Sequence, residues 1–142
     1  SKFIIGSGKN YIQFVHVKDV VQAFVNTLDS PASIGGTYII TQARPYTYEE
    51  VYRLLAGIFQ QNEPRWRVSR PLAKLMMLPI EGFNALIGRE NFLYRRETVD
   101  SVTSDRAFLI DRARRDLGYE PVYDLPEGMA ETVAWYQENG YL

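Results

Sequence analysis

The short strand-like segments of this chain, among them Thr37–Thr41 and Phe108–Ile110, are spread among five or six helical segments. So few strands cannot close a sheet, because the strand edges would keep unpaired backbone N–H and C=O groups. We therefore predict an α+β fold that is mostly helical with a few short strands, and we expect those strands to belong to a larger sheet.

Composition narrows the class of protein. The chain has 142 residues, of which 46% are hydrophobic, and this predicts a single domain, residues 1–142, with a real core. A net charge of −1 argues against a general nucleic-acid binder. The sequence contains no cysteine, which excludes disulfides and thiolate metal sites. The first thirty residues lack a signal-peptide pattern, and since the chain starts in a strand-like run, we expect Ser1 to be a cut within a longer protein.

Two oppositely charged segments stand apart in the sequence. Arg65-Trp66-Arg67, followed by Arg70 and Lys74, combines cations with an aromatic ring, a pattern that can bind nucleic acid. Residues 116–142 contain six carboxylates and no lysine or arginine. Pairing of the two segments, within one chain or between subunits, explains the pattern at least as well as an external polyanion.

A glycine-rich turn lies near the N-terminus. Gly6-Ser7-Gly8-Lys9-Asn10 separates the extended runs Phe3–Ile5 and Ile12–Val17, so we predict a β-hairpin there. The Gly-Ser-Gly spacing is also the start of a dinucleotide-binding loop. Such a loop must open a helix, whereas this one leads into another extended run.

Hydrophobic periodicity and capping residues predict several helices. Apolar residues from Val17 to Leu28 fall on one stripe of a helix. Thr47 and Glu50 have the spacing of a capping box, which predicts a helix start. A further short helix is expected from an Asp111 cap to Gly118.

His16 is the only histidine of the chain, and Asp19 follows it just inside the first predicted helix. A lone histidine is more often structural than catalytic, and contact with a substrate is the alternative. A carboxylate at the position of Asp19 stabilises the free N–H groups of the helix N-terminus. We favour that structural role over general-base catalysis.

The most apolar stretch runs from Leu72 to Ile80 and includes Met76 and Met77. Core packing is one interpretation, and the wall of an apolar substrate pocket is another, because methionine fills irregular space. Shallow membrane contact is a third, against which the small number of basic residues argues. We expect the helix here to be broken or kinked near Pro79.

Two motifs together resemble a known family. The first reads Gly6-x-Gly8-Lys9-Asn10-x-x-x-Phe14-Val15-His16-Val17-x-Asp19-Val20-Val21-x-Ala23, and the second contains Arg114-Arg115-Asp116-Leu117-Gly118-Tyr119 followed by Thr132-Val133-x-Trp135-Tyr136. Both are similar to segments of extended short-chain dehydrogenases/reductases, in the NAD-dependent epimerase/dehydratase superfamily. The order and the spacing of about 90 residues also match, so the resemblance covers nearly the whole chain.

The resemblance implies a fragment of a larger Rossmann-type α/β enzyme: its C-terminal, substrate-binding portion with one late strand of the sheet, Thr37–Thr41. In that family an N-terminal Rossmann domain binds NAD or NADP, and a Tyr-x-x-x-Lys pair moves the proton. No tyrosine here has a lysine four residues later. We therefore expect no catalytic, cofactor-binding or metal-binding residues in this chain, and no activity from it alone.

The branch of the family bears on the substrate. Sugar-nucleotide epimerases usually carry an arginine where this chain has Ile12-Gln13, and isoleucine cannot neutralise a diphosphate. The apolar stretch is closer to the 3β-hydroxysteroid dehydrogenase-like branch, which implies an apolar secondary alcohol or ketone. A nucleotide-sugar substrate and a non-enzymatic interaction module remain the alternatives.

The resemblance also implies where the substrate and the partners lie. The expected substrate contacts are Asn10, Gln13, His16, Met76, Met77 and Tyr94. The expected partners are a small-molecule substrate, the missing N-terminal Rossmann domain and a second copy in a homodimer, with no nucleic acid and no firm membrane contact. A cytoplasmic protein, at most peripheral to a membrane, fits this picture.

Overall fold

The computed structural model describes residues 3–86, 88 and 96–142. Their elements in chain order are β1 (Phe3–Ile5), β2 (Tyr11–Ile12), α1 (Val17–Asp29), a 3₁₀ turn (Pro31–Ser33), β3 (Tyr46–Thr47), α2 (Tyr48–Ile58), β4 (Trp66–Val68), α3 (Arg70–Leu86), α4 (Arg96–Thr103), α5 (Asp111–Leu117) and α6 (Leu125–Glu138). The prediction of a mostly helical α+β chain with a few short strands is confirmed. Within the described residues, no helix has the length and apolarity needed to cross a bilayer.

The chain divides into two compact units. Unit 1 comprises Ser1–Tyr11 and Thr47–Asp105, and unit 2 comprises Ile12–Tyr46 and Arg106–Leu142. The single domain expected from the length stays a prediction.

Unit 1 is built around one parallel strand pair. β1 runs parallel to β4, with Ile4 opposite Arg67, and the N–H of Gly6 extends the pair by donating to the Val68 carbonyl at 2.8 Å. The predicted hairpin is therefore wrong, because the Gly6–Asn10 turn does not return β1 onto the next run. A parallel pair needs a long crossover, and here residues of α2 lie in it.

The helices of unit 1 follow their local signals. Thr47 caps α2 by accepting from the N–H of Glu50 at 3.2 Å, and the Glu50 carboxylate accepts from the N–H of Thr47 at 2.7 Å, which confirms the capping box. α3 runs from Arg70 to Leu86 without a break at Pro79. Its partner is α4, whose Val99 is buried.

Unit 2 has a small apolar core. Buried residues from α1, α5 and the segment after α5 pack together, and Tyr38 and Ile40 pack against them from the side; the buried members are Ala23, Ile110, Ala113, Leu117 and Tyr119. Gly118 ends α5 in the left-handed region at φ 60°, as its position after the helix predicts. The cap of α5 is Ile110, and Asp111 lies in the first turn, so the prediction of an Asp111 cap is wrong.

The strands predicted at Thr37–Thr41 and Phe108–Ile110 are absent from the part of the chain that the structure describes. Residues 37–41 are extended but make no backbone–backbone hydrogen bond to another described residue, and only the neighbouring Gln42 N–H reaches the Phe14 carbonyl, at 2.9 Å. A strand exists only beside a second strand, and within unit 2 none runs alongside this segment.

Candidate functional site

Gln13 ties three segments of unit 2 together. Its side-chain amide donates to the carbonyl of Gln42 at 3.0 Å and accepts from the backbone N–H of Phe108 at 2.6 Å. Both ends of the amide are thus engaged by backbone groups. Gln13 was predicted to contact substrate, and the structure places it where it fixes the neighbouring loops.

His16 lies at the N-cap of α1, where the chain turns from extended to helical. Its carbonyl accepts from the N–H groups of Asp19 and Val20, both at 3.1 Å. Its ring stacks on Tyr123, with the centroids 4.1 Å apart and the planes at 25°. The stack holds the ring in one orientation. In this orientation the two ring nitrogens have different surroundings.

The two ring nitrogens of His16 differ in their polar partners. Nε2 lies 3.7 Å from a carboxylate oxygen of Glu131. Nδ1 is buried and has no hydrogen-bond partner among the described residues. A neutral imidazole offers one donor and one acceptor, so Nδ1 can donate to an added oxygen when it carries the proton and can accept from an added hydroxyl when it does not.

Gly128 of α6 makes room for the His16 ring. A Cβ at this position would stand 3.2 Å from Cδ2 of the imidazole, which is closer than nearly all real Cβ contacts. The absence of a side chain therefore lets the ring lie against the helix.

An ion pair borders the ring. Lys18 Nζ lies 2.6 Å from Glu131 Oε1 and 5.1 Å from the centroid of the Tyr123 ring. The hydrogen bond from Lys18 holds the pKa of Glu131 below its usual range, and the same bond raises the pKa of Lys18. Glu131 is therefore a carboxylate at neutral pH, with one oxygen held by Lys18.

Asp19 holds the loop that carries Tyr123. The residue is 1% exposed, and its two carboxylate oxygens accept from the backbone N–H groups of Val122 at 3.0 Å and Tyr123 at 3.2 Å. It therefore serves a structural role, as expected, although the N–H groups it satisfies lie far along the chain and not in its own helix.

Tyr46 and Asp124 form a second polar pair. The Tyr46 hydroxyl donates to Asp124 at 2.6 Å, while the Arg44 guanidinium lies 3.6 Å from the centroid of the Tyr46 ring. Burial, with the bond to Asp124 next in importance, raises the pKa of Tyr46 to about 12. Asp124 also caps α6 by accepting from the N–H of Leu125 at 2.9 Å.

Two cavities in unit 2 share His16 and Thr132. The smaller, of about 90 Å³, extends between Phe14, Gln42 and Met129, with Tyr123 and Asp124 also in its wall. The larger, of about 470 Å³, lies along α6 and is lined by Glu131, Trp135 and Glu138. His16 thus lines both the smaller cavity and the larger one, which also carries the carboxylates of Glu131 and Glu138.

The other predicted contacts lie in unit 1. The Asn10 side chain donates to the carbonyls of Val102 at 2.9 Å and Ser104 at 3.2 Å, which ties the end of α4 to the N-terminal turn. Met76 and Met77 are neighbours on α3, and their side chains point to different sides of the helix, Met76 outward and Met77 half-buried. Tyr94 lies outside the described residues.

Three residues beside His16 were not anticipated from the sequence. Tyr123 and Asp124 follow a proline-containing loop, and Glu131 is one of several carboxylates on α6. Asp124 and Glu127 have the spacing of a capping box, which predicts a helix start, but nothing in the local sequence links these residues to His16, more than 100 positions away.

No family model matches this chain. It is 27% identical over 150 residues to short-chain dehydrogenase/reductase family 42E member 1 of Bos taurus, covering 99% of this chain and 37% of the relative. It is 30% identical over 145 residues to 3beta-hydroxysteroid-dehydrogenase/decarboxylase isoform 1 of Arabidopsis thaliana, covering 94% of this chain and 33% of the relative. The chain therefore spans just over a third of the length of these relatives.

Solved structures show the same fold in part of larger proteins. The structure of gox2253 matches with a TM-score of 0.70 at 21% identity, over 99% of this chain and 40% of that one. The dTDP-glucose 4,6-dehydratase of Bacillus anthracis, solved in complex with NAD, matches with a TM-score of 0.61 at 19% identity, over 98% of this chain and 35% of that one.

Proposed function

The chain is related to the short-chain dehydrogenases/reductases over nearly its whole length, and we propose that it is the C-terminal, substrate-binding part of an NAD(P)-dependent oxidoreductase acting on an apolar secondary alcohol or ketone. The observation that carries the proposal is that relationship, which reaches both motifs of the sequence. The two relatives described above have dehydrogenase names, and the matched dehydratase structure contains NAD.

The exposed apolar face of α1 supports the proposal that a companion domain packs against this chain. Five apolar residues of its stripe are between 52% and 83% exposed, namely Val17, Val21, Phe24, Val25 and Leu28. Beside it, Val20, Phe24, Tyr38 and Ile40 line a hollow of about 190 Å³, and residues 37–41 leave their backbone groups without a strand. An apolar helix face next to an unpaired extended segment is what the edge of a sheet from a nucleotide-binding domain would cover.

In this proposal the companion domain holds NAD or NADP and supplies the proton-transfer residues, and the present chain shapes the pocket. His16 is the residue that we assign to the substrate oxygen, because it lines both cavities and its Nδ1 has no hydrogen-bond partner among the described residues. The smaller cavity beside Phe14 and Met129, of about 90 Å³, would take one end of the carbon skeleton. The role of this chain would be to bind and orient the substrate, and a nucleotide held by the companion domain would supply the hydride chemistry.

Two observations favour an apolar substrate over a nucleotide sugar. Ile12 stands where sugar-nucleotide epimerases carry the arginine that holds the diphosphate, and the amide of the neighbouring Gln13 bonds to the backbone of Gln42 and Phe108. The larger cavity beside His16 carries the carboxylates of Glu131 and Glu138, which repel a diphosphate.

The test is titration of the purified, ¹⁵N-labelled chain with a 3β-hydroxysteroid and separately with UDP-glucose. We expect the steroid to shift the amide signals of His16, Thr132 and neighbouring residues and UDP-glucose to shift none of them. Shifts with UDP-glucose at those residues, without any from the steroid, would overturn the assignment. A His16→Phe variant is the matched control, since it keeps the stack on Tyr123 and removes the ring nitrogens.

A further inference from the structure

The helix α6 of unit 2 ends at the only asparagine–glycine pair of the sequence. The pair is Asn139-Gly140, and both residues are exposed. An asparagine amide can be attacked by the backbone nitrogen of the next residue, and glycine hinders that attack least because it has no side chain. The other five asparagines precede larger residues, namely Tyr11, Thr27, Glu63, Ala85 and Phe92. Asn139 is therefore the asparagine of this chain with the least hindered neighbour.

The last turn of α6 closes in a Schellman motif. Asn139 is the C-cap of the helix. After it, the N–H of Gly140 donates to the Gln137 carbonyl at 3.2 Å. The N–H of Tyr141 donates to the Tyr136 carbonyl at 2.9 Å, and Gly140 has the left-handed φ, of 72°, that this motif needs. The nitrogen that would attack the Asn139 amide is therefore engaged in a hydrogen bond while the helix end is intact.

Aromatic rings hold this turn closed. The Tyr141 ring stacks on Trp135, with the centroids 5.7 Å apart and the planes at 15°, and Tyr136 meets both rings edge-on. A contact between the residue after the left-handed glycine and the last helical turn commonly accompanies a Schellman motif. Trp135 also lines the larger of the two cavities beside His16. The helix end therefore supports part of the wall of that cavity.

The Asn139 side chain is held away from the attacking nitrogen. Its Nδ2 donates to the Trp135 carbonyl at 2.8 Å. Because ψ of Asn139 is 7°, the Gly140 nitrogen is turned away from Cγ, and closing a five-membered ring between these two atoms requires a rotation about the Cα–C bond of Asn139. That rotation breaks the hydrogen bonds that Gly140 and Tyr141 donate. The reaction therefore needs the last turn to open, as helix ends do by fraying.

We propose that Asn139 is a site of spontaneous deamidation and that opening of the last turn of α6 controls its rate. In the open turn the Gly140 nitrogen attacks Cγ of Asn139, a new C–N bond forms, and the side-chain amide leaves as ammonia with the proton of the Gly140 nitrogen. Water then opens the succinimide ring at either carbonyl and leaves aspartate or isoaspartate at position 139. No oxidant or reductant takes part. The proposal is independent of the oxidoreductase proposal, since it needs no substrate and no companion domain.

Either product weakens the helix end. A carboxylate at position 139 cannot donate to the Trp135 carbonyl, and it lies at the negative end of the helix dipole. Isoaspartate also adds a methylene group to the backbone, which moves Gly140 and Tyr141 out of the Schellman geometry. The turn that has reacted therefore closes less well, and Trp135 loses its contact with the Tyr141 ring.

The experiment is incubation of the full chain at neutral pH, folded and unfolded in guanidinium chloride, with peptide mass spectrometry to locate deamidation. We expect reaction at Asn139 before the other asparagines and a faster reaction in the unfolded chain. Tyr141→Ala should speed the folded reaction by about two- to tenfold, the range implied by the loss of an aromatic pair, and should leave the unfolded rate unchanged. Phe108→Ala, which removes an exposed ring elsewhere in unit 2, is the matched control and should react like the wild type. Absence of deamidation at Asn139 in both states, earlier reaction at another asparagine, or equal rates in the folded and unfolded chain would overturn the proposal.

A second measurement tests the consequence for Trp135. In a Trp66→Phe background, where Trp135 is the only tryptophan, Asn139→Asp should move the emission to longer wavelength and increase its quenching by acrylamide, because the ring becomes more exposed. Asn62→Asp, at an exposed asparagine of unit 1, is the matched control and should change neither quantity. Equal fluorescence of the two variants would show that the modification leaves the cavity wall intact, against the proposal.

Discussion

Asp19 accepts a hydrogen bond from the backbone N–H of Tyr123 at 3.2 Å, across more than 100 residues of sequence. Its other oxygen accepts from Val122 at 3.0 Å, and the carboxylate is buried. This contact holds Tyr123 beneath the ring of His16. The candidate site therefore depends on a carboxylate that does not itself line either cavity.

Loss of the Asp19 charge should destabilise the chain. Asp19→Asn places an amide against two backbone N–H groups and leaves at least one of them unsatisfied in the interior. We expect the free energy of unfolding to fall by about 2–4 kcal/mol. Urea denaturation measures it, and Asp29→Asn, an exposed aspartate at the end of the same helix, should change it by less than about 0.5 kcal/mol. Equal effects of the two substitutions would contradict the role given to Asp19.

Glycine substitutions in two helices should have different outcomes. Gly82→Ala on α3 meets no atom within 4 Å, so the better helix propensity of alanine should stabilise the chain by about 0.5–1 kcal/mol. Gly128→Ala brings a methyl group to 3.2 Å from the His16 ring, which should cancel that gain and shift the imidazole NMR signals. Thermal unfolding and histidine spectra check both effects, and an unchanged His16 spectrum in Gly128→Ala would contradict the packing.

The capping box of α2 gives a third prediction. Thr47→Ala removes the oxygen that accepts from the N–H of Glu50, and we expect a loss of about 1 kcal/mol. Glu50→Gln keeps both hydrogen bonds of the box and should cost much less. Chemical denaturation measures the free energy of unfolding of both variants. If Glu50→Gln lowers it as much as Thr47→Ala does, the charge of Glu50 and not the capping box stabilises the N-terminus of α2.

Stability should fall at alkaline pH because of two buried tyrosines. Burial, followed by the nearby Asp124 or Asp19 carboxylate, raises the pKa of Tyr46 and of Tyr119 to about 12. In the unfolded chain a tyrosine ionises near pH 10. Both groups are neutral in both states below pH 10, so their contribution is complete there and is lost as pH rises from about 10 to about 12.

The size of this alkaline loss is about 1–3 kcal/mol for each tyrosine. Unfolding free energies measured across that range should fall less steeply in Tyr46→Phe, whereas Tyr141→Phe, an exposed tyrosine, should follow the wild type. A wild-type stability that stays flat from pH 9 to pH 12 would contradict the buried, neutral state of these hydroxyls.

Local sequence signals predicted the helices well, but they did not predict which strands pair with each other. The Thr47–Glu50 spacing and the glycine at 118 define helix ends within a few residues, because caps are local chemistry. The parallel pairing of Ile4 with Arg67 depends on contacts more than 60 residues apart, and the turn at Gly6 predicted a hairpin instead. Local sequence does not determine which strand pairs with β1.

The site was predictable in the same limited way. His16 was singled out because it is the only histidine, and the structure places it between two cavities. Tyr123 and Glu131 reach it only through folding of the C-terminal segment. The periodicity of the sequence predicted the apolar stripe of α1 but not that the stripe is exposed. A stripe that packs against another domain has the same spacing as one that packs into the core of its own domain.

The most direct test of the account is a fluorescence titration of the purified chain with NADH. If this chain is the substrate-binding part and a companion domain holds the nucleotide, the NADH emission should show no saturable change at micromolar concentrations. Saturable binding in the micromolar range, competed by NAD, would contradict the account, because the chain would then contain a nucleotide site of its own.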